Sequence, residues 1–239
     1  MKKKIFYEHD DITGTSIGVE YEKYLHQSQS KYQNIEVIMT ERYGNALYLD
    51  GCFMLSEKNQ DFYHDTCKYL VPKSAKNILI VGGGDHALAY MISKSISVNT
   101  IDVVEIDEDV TTVSKKYFPK YFKYSMKVKR KINLVIEDGM KYLKYNKIKY
   151  DCIIIDSTDP VDNAKVLFSK LFIMKCFSSL KSKGLLIQQS GSPIKDIKHI
   201  INPLKRKYKE LGFKNIKLHI FPMPLYPTGT WSFLTAKRA

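Results

Sequence analysis

Residues 77–90 read NILIVGGGDHALAY. The apolar run indicates a buried strand, the three glycines indicate a tight turn, and the residues that follow are predicted to form a helix. A glycine turn between a strand and a helix lets the backbone approach a nucleotide closely. Asp85 is unusual in this place, because a negatively charged ligand group normally faces the start of such a helix. The surrounding sequence must therefore show which ligand tolerates a carboxylate here.

Strands and helices alternate from this stretch almost to the end of the chain. The apolar strands follow one another at the spacing of βα units, and such strands are typical of a sheet that is covered on both faces. We therefore expect an α/β fold with a Rossmann-like, methyltransferase-type doubly wound sheet. The predicted strands are NILIVG, TIDVVEID, INLVIED, YDCIIID, GLLIQQS, KNIKLHIF and WSFLTAK, and the predicted helices lie near 86–95, 108–116, 138–146, 165–180 and 195–210.

Short alternating segments precede this pattern. IGVEYEKYL, NIEVIMTE and ALYLDGCFML are separated by RYGN and LDG turns, which predicts hairpins. Residues 57–70 are predicted to be helical. We expect two domains, a small N-terminal β-rich domain over 1–56 and a Rossmann-like catalytic domain over 57–239.

Composition excludes several classes of protein. The chain of 239 residues is 44% hydrophobic, which is enough for a substantial core. It lacks an apolar run of membrane-spanning length and an apolar signal segment, so we expect a cytoplasmic protein without a membrane partner. The four cysteines and six histidines have no metal-ligand spacing, so we expect no metal.

The formal charge of +13 introduces a further alternative, a basic nucleic-acid-binding module. The lysines are dispersed along the chain and do not alternate with aromatic or arginine-rich clusters. We therefore interpret the charge as a solvated surface and expect no nucleic-acid partner.

Polar residues stand where the strands are predicted to end, which is where open α/β sheets bind ligands. Glu105 ends the second strand about 20 residues after the glycine turn, where an acid accepts hydrogen bonds from ribose hydroxyls. Asp138, with Gly139 after it, ends the third strand near the expected place of an adenine amino group. The fourth and fifth strands end in Asp156, Asp159, Gln188 and Gln189. The glycine turn, Glu105 and the pair of Asp138 and Gly139 together favour an adenosine-containing ligand.

Asp85 restricts the choice of ligand. A pyrophosphate would be repelled by this carboxylate, and the carboxylate of S-adenosylmethionine would meet the same repulsion in a milder form. Decarboxylated S-adenosylmethionine carries a 3-aminopropyl arm that ends in an ammonium group, and this arm would be attracted. The loop is therefore predicted to bind a nucleoside with a cationic tail.

The turn DSTDP at 156–160 fits the same chemistry. An aliphatic amine is a poor nucleophile until it loses a proton, and a nearby carboxylate can accept that proton. Asp156 and Asp159 are therefore candidates to bind an amine and to act as its base. The alternative is local: Asp159 with Pro160 forms an ordinary turn and Asp156 caps a helix.

With these motifs in place, the chain resembles the spermidine synthase family, the polyamine aminopropyltransferases. The resemblance covers nearly the whole chain and is most specific in GGGD, DSTDP and YPTGTW. The matching segments, in the family's order, are SKYQNIEV, LYLDG, FYHD, ILIVGGGD, VVEID, DGMKYL, YDCIIIDSTDP, QQSGSP and PLYPTGTWSF.

The resemblance implies transfer of an aminopropyl group from decarboxylated S-adenosylmethionine to a diamine, most often putrescine, with release of methylthioadenosine. It also implies a homodimer or homotetramer, and no cofactor besides the nucleoside co-substrate. Asp156 would be the catalytic base, assisted by Tyr63. The implied donor-binding residues are Gln33, His64, Gly83, Gly84, Asp85, Glu105, Asp138 and Gly139, and the implied acceptor-binding residues are Tyr63, Asp156, Asp159, Gln189 and Tyr226.

Some positions depart from the family's pattern. His86 replaces a glycine, Asn59 and Gln60 replace an acidic pair, and Gly191 replaces a glutamate. These departures leave the acceptor amine open, and we expect Gly191→Glu to restore the more usual pocket. Two alternative functions stay open as well, an S-adenosylmethionine-dependent methyltransferase and a weakly active regulatory paralogue of a spermidine synthase.

Overall fold

The computed structural model describes residues 4–58, 61–95, 97–160 and 162–239. Its N-terminal part contains two antiparallel sheets. A hairpin is formed by β1 (Lys4–Asp10) and β2 (Thr15–Tyr21), and a four-stranded sheet is formed by β3 (Lys23–Gln29), β4 (Asn34–Thr40), β5 (Gly44–Leu49) and β6 (Cys52–Ser56).

The strand expected at IGVEYEKYL is in fact two strands. The chain leaves the hairpin sheet after Tyr21 and enters the four-stranded sheet at Lys23, because β2 pairs with β1 while β3 pairs with β4. A continuous alternating pattern thus hid a change of sheet at Glu22, whose N–H bonds to the carbonyl of Met39 (2.8 Å).

The rest of the chain alternates strands with helices, as predicted. Its strands are β7 (Asn77–Gly82), β8 (Thr100–Glu105), β9 (Ile132–Ile136), β10 (Tyr150–Asp156), β11 (Leu180–Gln189), β12 (Lys214–Pro222) and β13 (Thr230–Lys237). Its α-helices are α1 (Asp61–Leu70), α2 (Ala87–Ser93), α3 (Glu108–Tyr117), α4 (Met126–Lys129), α5 (Gly139–Tyr145), α6 (Lys170–Ser179) and α7 (Asn202–Glu210).

Two predicted helices are each divided in the structure. The region 165–180 consists of a 3₁₀ segment, Asp162–Phe168, followed by α6, and the break falls at Ser169, whose hydroxyl accepts a hydrogen bond from the N–H of Phe172 (3.2 Å) as an N-cap. The region 195–210 begins with a π-turn, Ile197–Ile201, before α7. Residues 59 and 60, predicted to be helical, lie outside the described residues.

The seven strands form one mixed sheet in the order β12-β13-β11-β10-β7-β8-β9. Strands β7 to β11 are parallel, while β13 runs antiparallel to both β11 and β12. The order reverses at β7, whose neighbours are β8 and β10, and Gly82 is paired with Asp156 at the carboxyl ends of β7 and β10. This arrangement confirms the predicted doubly wound, methyltransferase-type sheet and places the glycine turn beside DSTDP.

Alternate side chains of the central strands enter different cores, which shows that both faces of the sheet are covered. Ile78 and Ile80 of β7 belong to one buried cluster, and Leu79 and Val81 to another. The first cluster also includes Tyr48 of the N-terminal sheet, so the hydrophobic contacts continue across the predicted domain boundary at 56/57. That boundary stays a prediction. In the part of the chain that is described, no helix is long and apolar enough to cross a membrane.

Close packing of α5 on the sheet gives a testable consequence. A Cβ atom at Gly139 would lie 2.7 Å from Cγ1 of Val81. We expect Gly139→Ala to lower the free energy of unfolding by about 1–3 kcal/mol, because an overpacked core strains its surroundings. Urea unfolding measures this, and the double variant with Val81→Ala, which removes the blocking methyl group, should regain part of the loss relative to Val81→Ala alone. An unchanged unfolding free energy in Gly139→Ala contradicts this packing.

Candidate active site

The glycine turn after β7 is pressed against the end of β10. Gly82 and Gly83 have φ angles of +88° and +68°, and a Cβ at Gly82 would lie 1.9 Å from the carbonyl oxygen of Asp156. The N–H of Gly83 donates to that same oxygen at 3.0 Å. Only glycine combines these φ angles with so close an approach. The turn is therefore locked to the strand that carries Asp156.

Asp85 follows the turn, two residues before the start of α2. One of its carboxylate oxygens, Oδ1, accepts a hydrogen bond from the N–H of Ala87 at 2.7 Å. Burial raises the pKa of Asp85 to about 6, although this hydrogen bond opposes the shift. At neutral pH the site therefore holds a poorly solvated negative charge.

Asp156 lies close enough to Asp85 for the two charges to interact. Its Oδ1 accepts a hydrogen bond of 2.7 Å from the hydroxyl of Tyr63, and a Cβ on Gly83 would be 3.1 Å from its Oδ2. Burial raises the pKa of Asp156 to about 6, and the charge of Asp85 raises it further, while His64 and the Tyr63 hydroxyl oppose the shift. We call Asp85 and Asp156 the central carboxylate pair. Two poorly solvated carboxylates, one of which is made costlier to ionise by the other, form a site suited to cations.

Glu105 is held rigidly at the end of β8. Its two carboxylate oxygens accept hydrogen bonds from the N–H groups of Gly84 (3.1 Å) and Asp107 (2.9 Å), and burial is the main cause that raises its pKa to about 7. Gln33 joins this side of the site through its side-chain amide, which donates to Oδ2 of Asp107 at 2.9 Å. The N-terminal sheet thus meets the catalytic sheet at the predicted ribose position.

Asp138 and Gly139 have local roles in the structure. The Oδ1 atom of Asp138 accepts a hydrogen bond from the N–H of Lys141 (2.8 Å), so this residue is the N-cap of α5. It follows β9, the edge strand that pairs with β8, and so stands at the rim beside Glu105. Their predicted contact with adenine stays a prediction.

A second set of predicted residues lies beside the central carboxylate pair. The Gln189 side-chain amide donates to the carbonyl oxygen of Thr158 (3.0 Å) and lies 3.5 Å from Oδ1 of Asp159. Trp231 donates from Nε1 to Oε1 of Gln189 at 3.2 Å, and its ring meets Tyr226 edge-on at 4.6 Å. This set is therefore one connected group of polar and aromatic side chains.

Electrostatic coupling connects this group with the central pair. Burial raises the pKa of Tyr226 well above its usual range, and the carboxyls of Glu8, Asp159 and Asp156 raise it further. Burial also raises the pKa of Asp159 to about 6. Gln188 faces away from its strand neighbour Gln189. Its Oε1 accepts from the hydroxyl of buried Tyr208 at 2.7 Å, on the other side of the sheet.

Glu8 is a partly buried acid that the sequence did not indicate as a site residue. This residue lies on β1, its Oε2 accepts a hydrogen bond from the N–H of Phe53 (2.8 Å), and burial raises its pKa to about 7. The charges of Lys195 and Asp159 also act on it, which places the hairpin near the DSTDP turn. An acid in the alternating segment IFYEHD was the one available signal, and nothing in the local sequence connects it with residues 150 positions away.

Comparison with known proteins identifies the family. Residues 60–239 match the spermine/spermidine synthase domain, and residues 5–57 match the spermidine synthase tetramerisation domain. The chain belongs to the spermine/spermidine synthase family. This confirms the family that the motifs predicted and the prediction of an enzyme of the spermidine synthase type.

Relatives and solved structures in this family cover most of the chain. A polyamine aminopropyltransferase of Methanocaldococcus jannaschii is 37% identical over 99% of this chain and 81% of its own length. One from Stenotrophomonas maltophilia is 35% identical over 98% of this chain and 83% of its own. A spermidine synthase in complex with the transition-state analogue AdoDATO superposes on the whole chain with a TM-score of 0.88, at 26% identity and 82% coverage of that chain. The spermidine synthase from Thermotoga maritima gives 0.87, at 25% identity and 80% coverage.

His86, one of the departures from the family's pattern, has a backbone conformation that favours glycine. Its φ is +63°, in the left-handed region. Its ring lies 4.6 Å from that of Phe122, and its Nδ1 shares a hydrogen bond of 2.8 Å with the hydroxyl of Tyr124. Burial lowers the pKa of His86 to about 4, so the ring is neutral at physiological pH.

The expectation that Gly191→Glu would restore the family's pocket is wrong. Gly191 has a φ of +76°, and a Cβ there would lie 2.5 Å from Oδ2 of Asp196. Asp196 is buried, and its Oδ2 accepts a hydrogen bond from the N–H of Ser192 at 2.8 Å. A carboxylate from five positions further along the chain thus fills the space beside Gly191. Asn59 and Gln60, the other replaced acids, lie outside the described residues.

The raised pKa of Asp156 predicts a gain in stability when its charge is removed. A folded-state pKa of about 6, above that of the unfolded chain, means that stability falls as the pH rises from about 4 to about 6. At pH 7.5 the ligand-free Asp156→Asn variant should therefore melt about 2–4 °C above the wild type. Calorimetric melting without ligand measures the difference.

Asp151 provides the matched control on the same strand. Burial would raise its pKa, but the N–H of Asn77 and the ammonium of Lys181 outweigh this effect and lower it. Asp151→Asn should therefore melt below the wild type. A fall in melting temperature in both variants would show that Asp156 is stabilised by its surroundings, contrary to this account.

Proposed function

We propose that this protein transfers the 3-aminopropyl group of decarboxylated S-adenosylmethionine to a diamine, with putrescine the preferred acceptor, and releases methylthioadenosine. The observation that carries the proposal is the central carboxylate pair, in which Asp85 and Asp156 lie within electrostatic reach of each other beside the glycine turn. A donor with a cationic arm and an acceptor with an ammonium group are the substrates that such a pair would stabilise.

The donor would lie along the carboxyl ends of β7, β8 and β9. Glu105 would accept hydrogen bonds from the ribose hydroxyls, and Asp85 would pair with the ammonium of the aminopropyl arm. Gln33, attached to Asp107 next to Glu105, supports the ribose end of the site. The remaining residues proposed to contact the donor are His64, Gly83, Gly84, Asp138 and Gly139.

The acceptor would lie between Asp156 and the group formed by Asp159, Gln189 and Tyr226. Asp156 would take a proton from the attacking ammonium, while the hydroxyl of Tyr63, bonded to it at 2.7 Å, holds the carboxylate in one orientation. The pKa of about 6 keeps Asp156 ionised at neutral pH and makes it a stronger base than an exposed aspartate.

The proposed reaction balances without a further reagent. The lone pair of the acceptor nitrogen forms a bond to the arm carbon attached to the sulfonium, and that carbon–sulfur bond breaks. Its electron pair stays on sulfur, which leaves as the neutral thioether of methylthioadenosine. The sulfonium itself activates the carbon, so the proposal includes neither a metal nor a redox cofactor, and positioning of the two substrates supplies much of the rate.

We also propose a homodimer or homotetramer that acts in the cytoplasm on small-molecule amine and nucleoside substrates. The match of residues 5–57 to a tetramerisation domain supports self-association. Within the described residues, no group of three or more His, Cys, Asp or Glu side chains could hold a metal ion. Nucleic acid and membrane partners are not part of the proposal.

Product identification tests the proposal. Purified protein incubated with decarboxylated S-adenosylmethionine and putrescine should form spermidine and methylthioadenosine in equal amounts, measured by mass spectrometry. Asp156→Asn should lower kcat by about 100-fold or more, because the base is lost. In the wild type, kcat/KM should fall as the pH drops below about 6, where Asp156 becomes protonated.

Intact S-adenosylmethionine with the same amine is the control reaction. The rate of methylated amine formation from the intact donor is compared with the rate of spermidine formation from the decarboxylated donor. If methylation is faster, the protein is a methyltransferase and the proposal is wrong. A wild-type rate in Asp156→Asn would remove Asp156 from the mechanism.

The role of Asp85 is tested by the part of the donor that it would contact. Asp85→Asn keeps an acceptor for the N–H of Ala87 but removes the charge. We expect calorimetry to show about tenfold weaker binding of decarboxylated S-adenosylmethionine, because an ion pair to the arm is lost. Methylthioadenosine has no such arm, so its affinity should stay the same. An equal loss of affinity for both ligands would mean that Asp85 maintains the loop conformation and does not contact the aminopropyl arm.

A further inference from the structure

A buried lysine lies at the far end of the acceptor group. The Nζ atom of Lys195 forms an ion pair with Oδ2 of Asp10, which is 185 residues away in the chain. Both side chains are enclosed, with exposed fractions of 12% for Lys195 and 5% for Asp10. Most lysines extend into water, so a lysine buried at this place requires an explanation.

Asp10 is fixed in place by the hairpin turn that it begins. Its Oδ1 accepts hydrogen bonds from the N–H groups of Ile12 (3.1 Å) and Thr13 (2.8 Å) and from the hydroxyl of Thr13 (2.9 Å). Its Oδ2 is thus directed at Lys195 from a rigid turn. The ammonium group has one defined position, between the hairpin and the segment after β11.

Three further acids interact with Lys195. The charges of Asp159 and Asp196 raise its pKa, together with Asp10, against the lowering effect of burial. The charge of Lys195 in turn opposes the rise in pKa that burial causes at Glu8 and Asp159. We call Glu8, Asp10, Asp159, Asp196 and Lys195 the distal charge cluster. It contains four acids and one fixed cation.

The cluster continues the acceptor site away from the central carboxylate pair. Tyr226 lies within reach of the charges of Glu8, Asp159 and Asp156. An amine that places its attacking nitrogen at Asp156 would direct the rest of its chain past Tyr226 toward Asp159 and Glu8. The charge of Lys195 acts on both of these acids.

We infer that Lys195 is a specificity-determining residue that limits the acceptor to a diamine and rejects amines with a third ammonium group, an inference that rests on the proposed function. A second ammonium group would be balanced by Asp159 and Glu8. A third would approach the ammonium of Lys195, and like charges in a poorly solvated site repel strongly. The positive charge of Lys195 thereby limits how many ammonium groups the bound acceptor can carry.

The purely structural explanation predicts a different result. If the pair of Lys195 and Asp10 only fastened the hairpin to the catalytic domain, removing either partner would have the same effect, since both changes break one bond. A specificity role predicts opposite effects, because Lys195→Met leaves an extra negative charge at the end of the pocket and Asp10→Asn leaves an unpaired positive charge.

The test compares putrescine with the triamine spermidine as acceptors. Lys195→Met should raise the ratio of kcat/KM for spermidine to that for putrescine by about tenfold or more. Asp10→Asn should raise the KM for putrescine without increasing that ratio. Lys195→Arg, which keeps the charge, should retain the wild-type ratio. Lys198→Met, which removes an exposed lysine three residues further along, is the matched control and should also retain it.

Calorimetric binding of both amines in the presence of methylthioadenosine gives a second readout that does not depend on turnover. If the wild type makes no product, the proposed function fails, yet a shift of binding preference toward spermidine in Lys195→Met would still support the assignment of Lys195. If Lys195→Met does not fold, an unchanged putrescine affinity in Asp10→Asn would overturn the assignment. A folded Lys195→Met with the wild-type preference, or the same loss in both variants, would overturn it as well.

Discussion

The arrangement of the site depends on the burial of two like charges at one point of the sheet. Asp85 and Asp156 lie at the carboxyl ends of neighbouring strands, where the strand order reverses, and each stays ionised at neutral pH against the effect of burial. Such a pair destabilises the empty protein and is relieved when cations enter. The glycine turn brings the ends of β7 and β10 together, because Gly82 and Gly83 allow the backbone of the turn to contact that of β10. Part of the binding free energy of two cationic substrates would therefore come from neutralising these buried carboxylates.

Other acids around the central carboxylate pair are also held in place by the fold. Glu105 is held by two backbone N–H groups at the end proposed for the uncharged part of the donor, and the hairpin carries Glu8 and Asp10, which we place at the other end. The N-terminal sheets and the catalytic sheet share a hydrophobic core, so these acids are placed by packing as firmly as those on the central strands. The high positive charge of the chain and its acidic site are compatible, because the acids lie inside while the lysines are mostly on the surface.

The central sheet and the carboxylates at its strand ends could be predicted from the sequence, because period, spacing and strand order along the chain dictate where parallel strands end. The contacts between the N-terminal hairpin and the segment after β11 could not. Glu8, Asp10 and Lys195 carry no local motif, and their association follows only from how the hairpin packs against the segment after β11. Gly191 appeared to be a lost acid, yet Asp196 fills its place from the next turn of the chain. The divided helices at Ser169 and Asn202 were missed because apolar periodicity continues across a cap or a π-turn.

The central claim is that fixed negative charge beside the glycine turn selects a nucleoside with a positively charged tail. Titration calorimetry of the wild-type protein with decarboxylated and intact S-adenosylmethionine tests it most directly, because the two ligands differ only in the carboxylate that Asp85 would repel. The account predicts that the decarboxylated form binds at least about tenfold more tightly at neutral pH. Equal affinities, or tighter binding of the intact form, would contradict it.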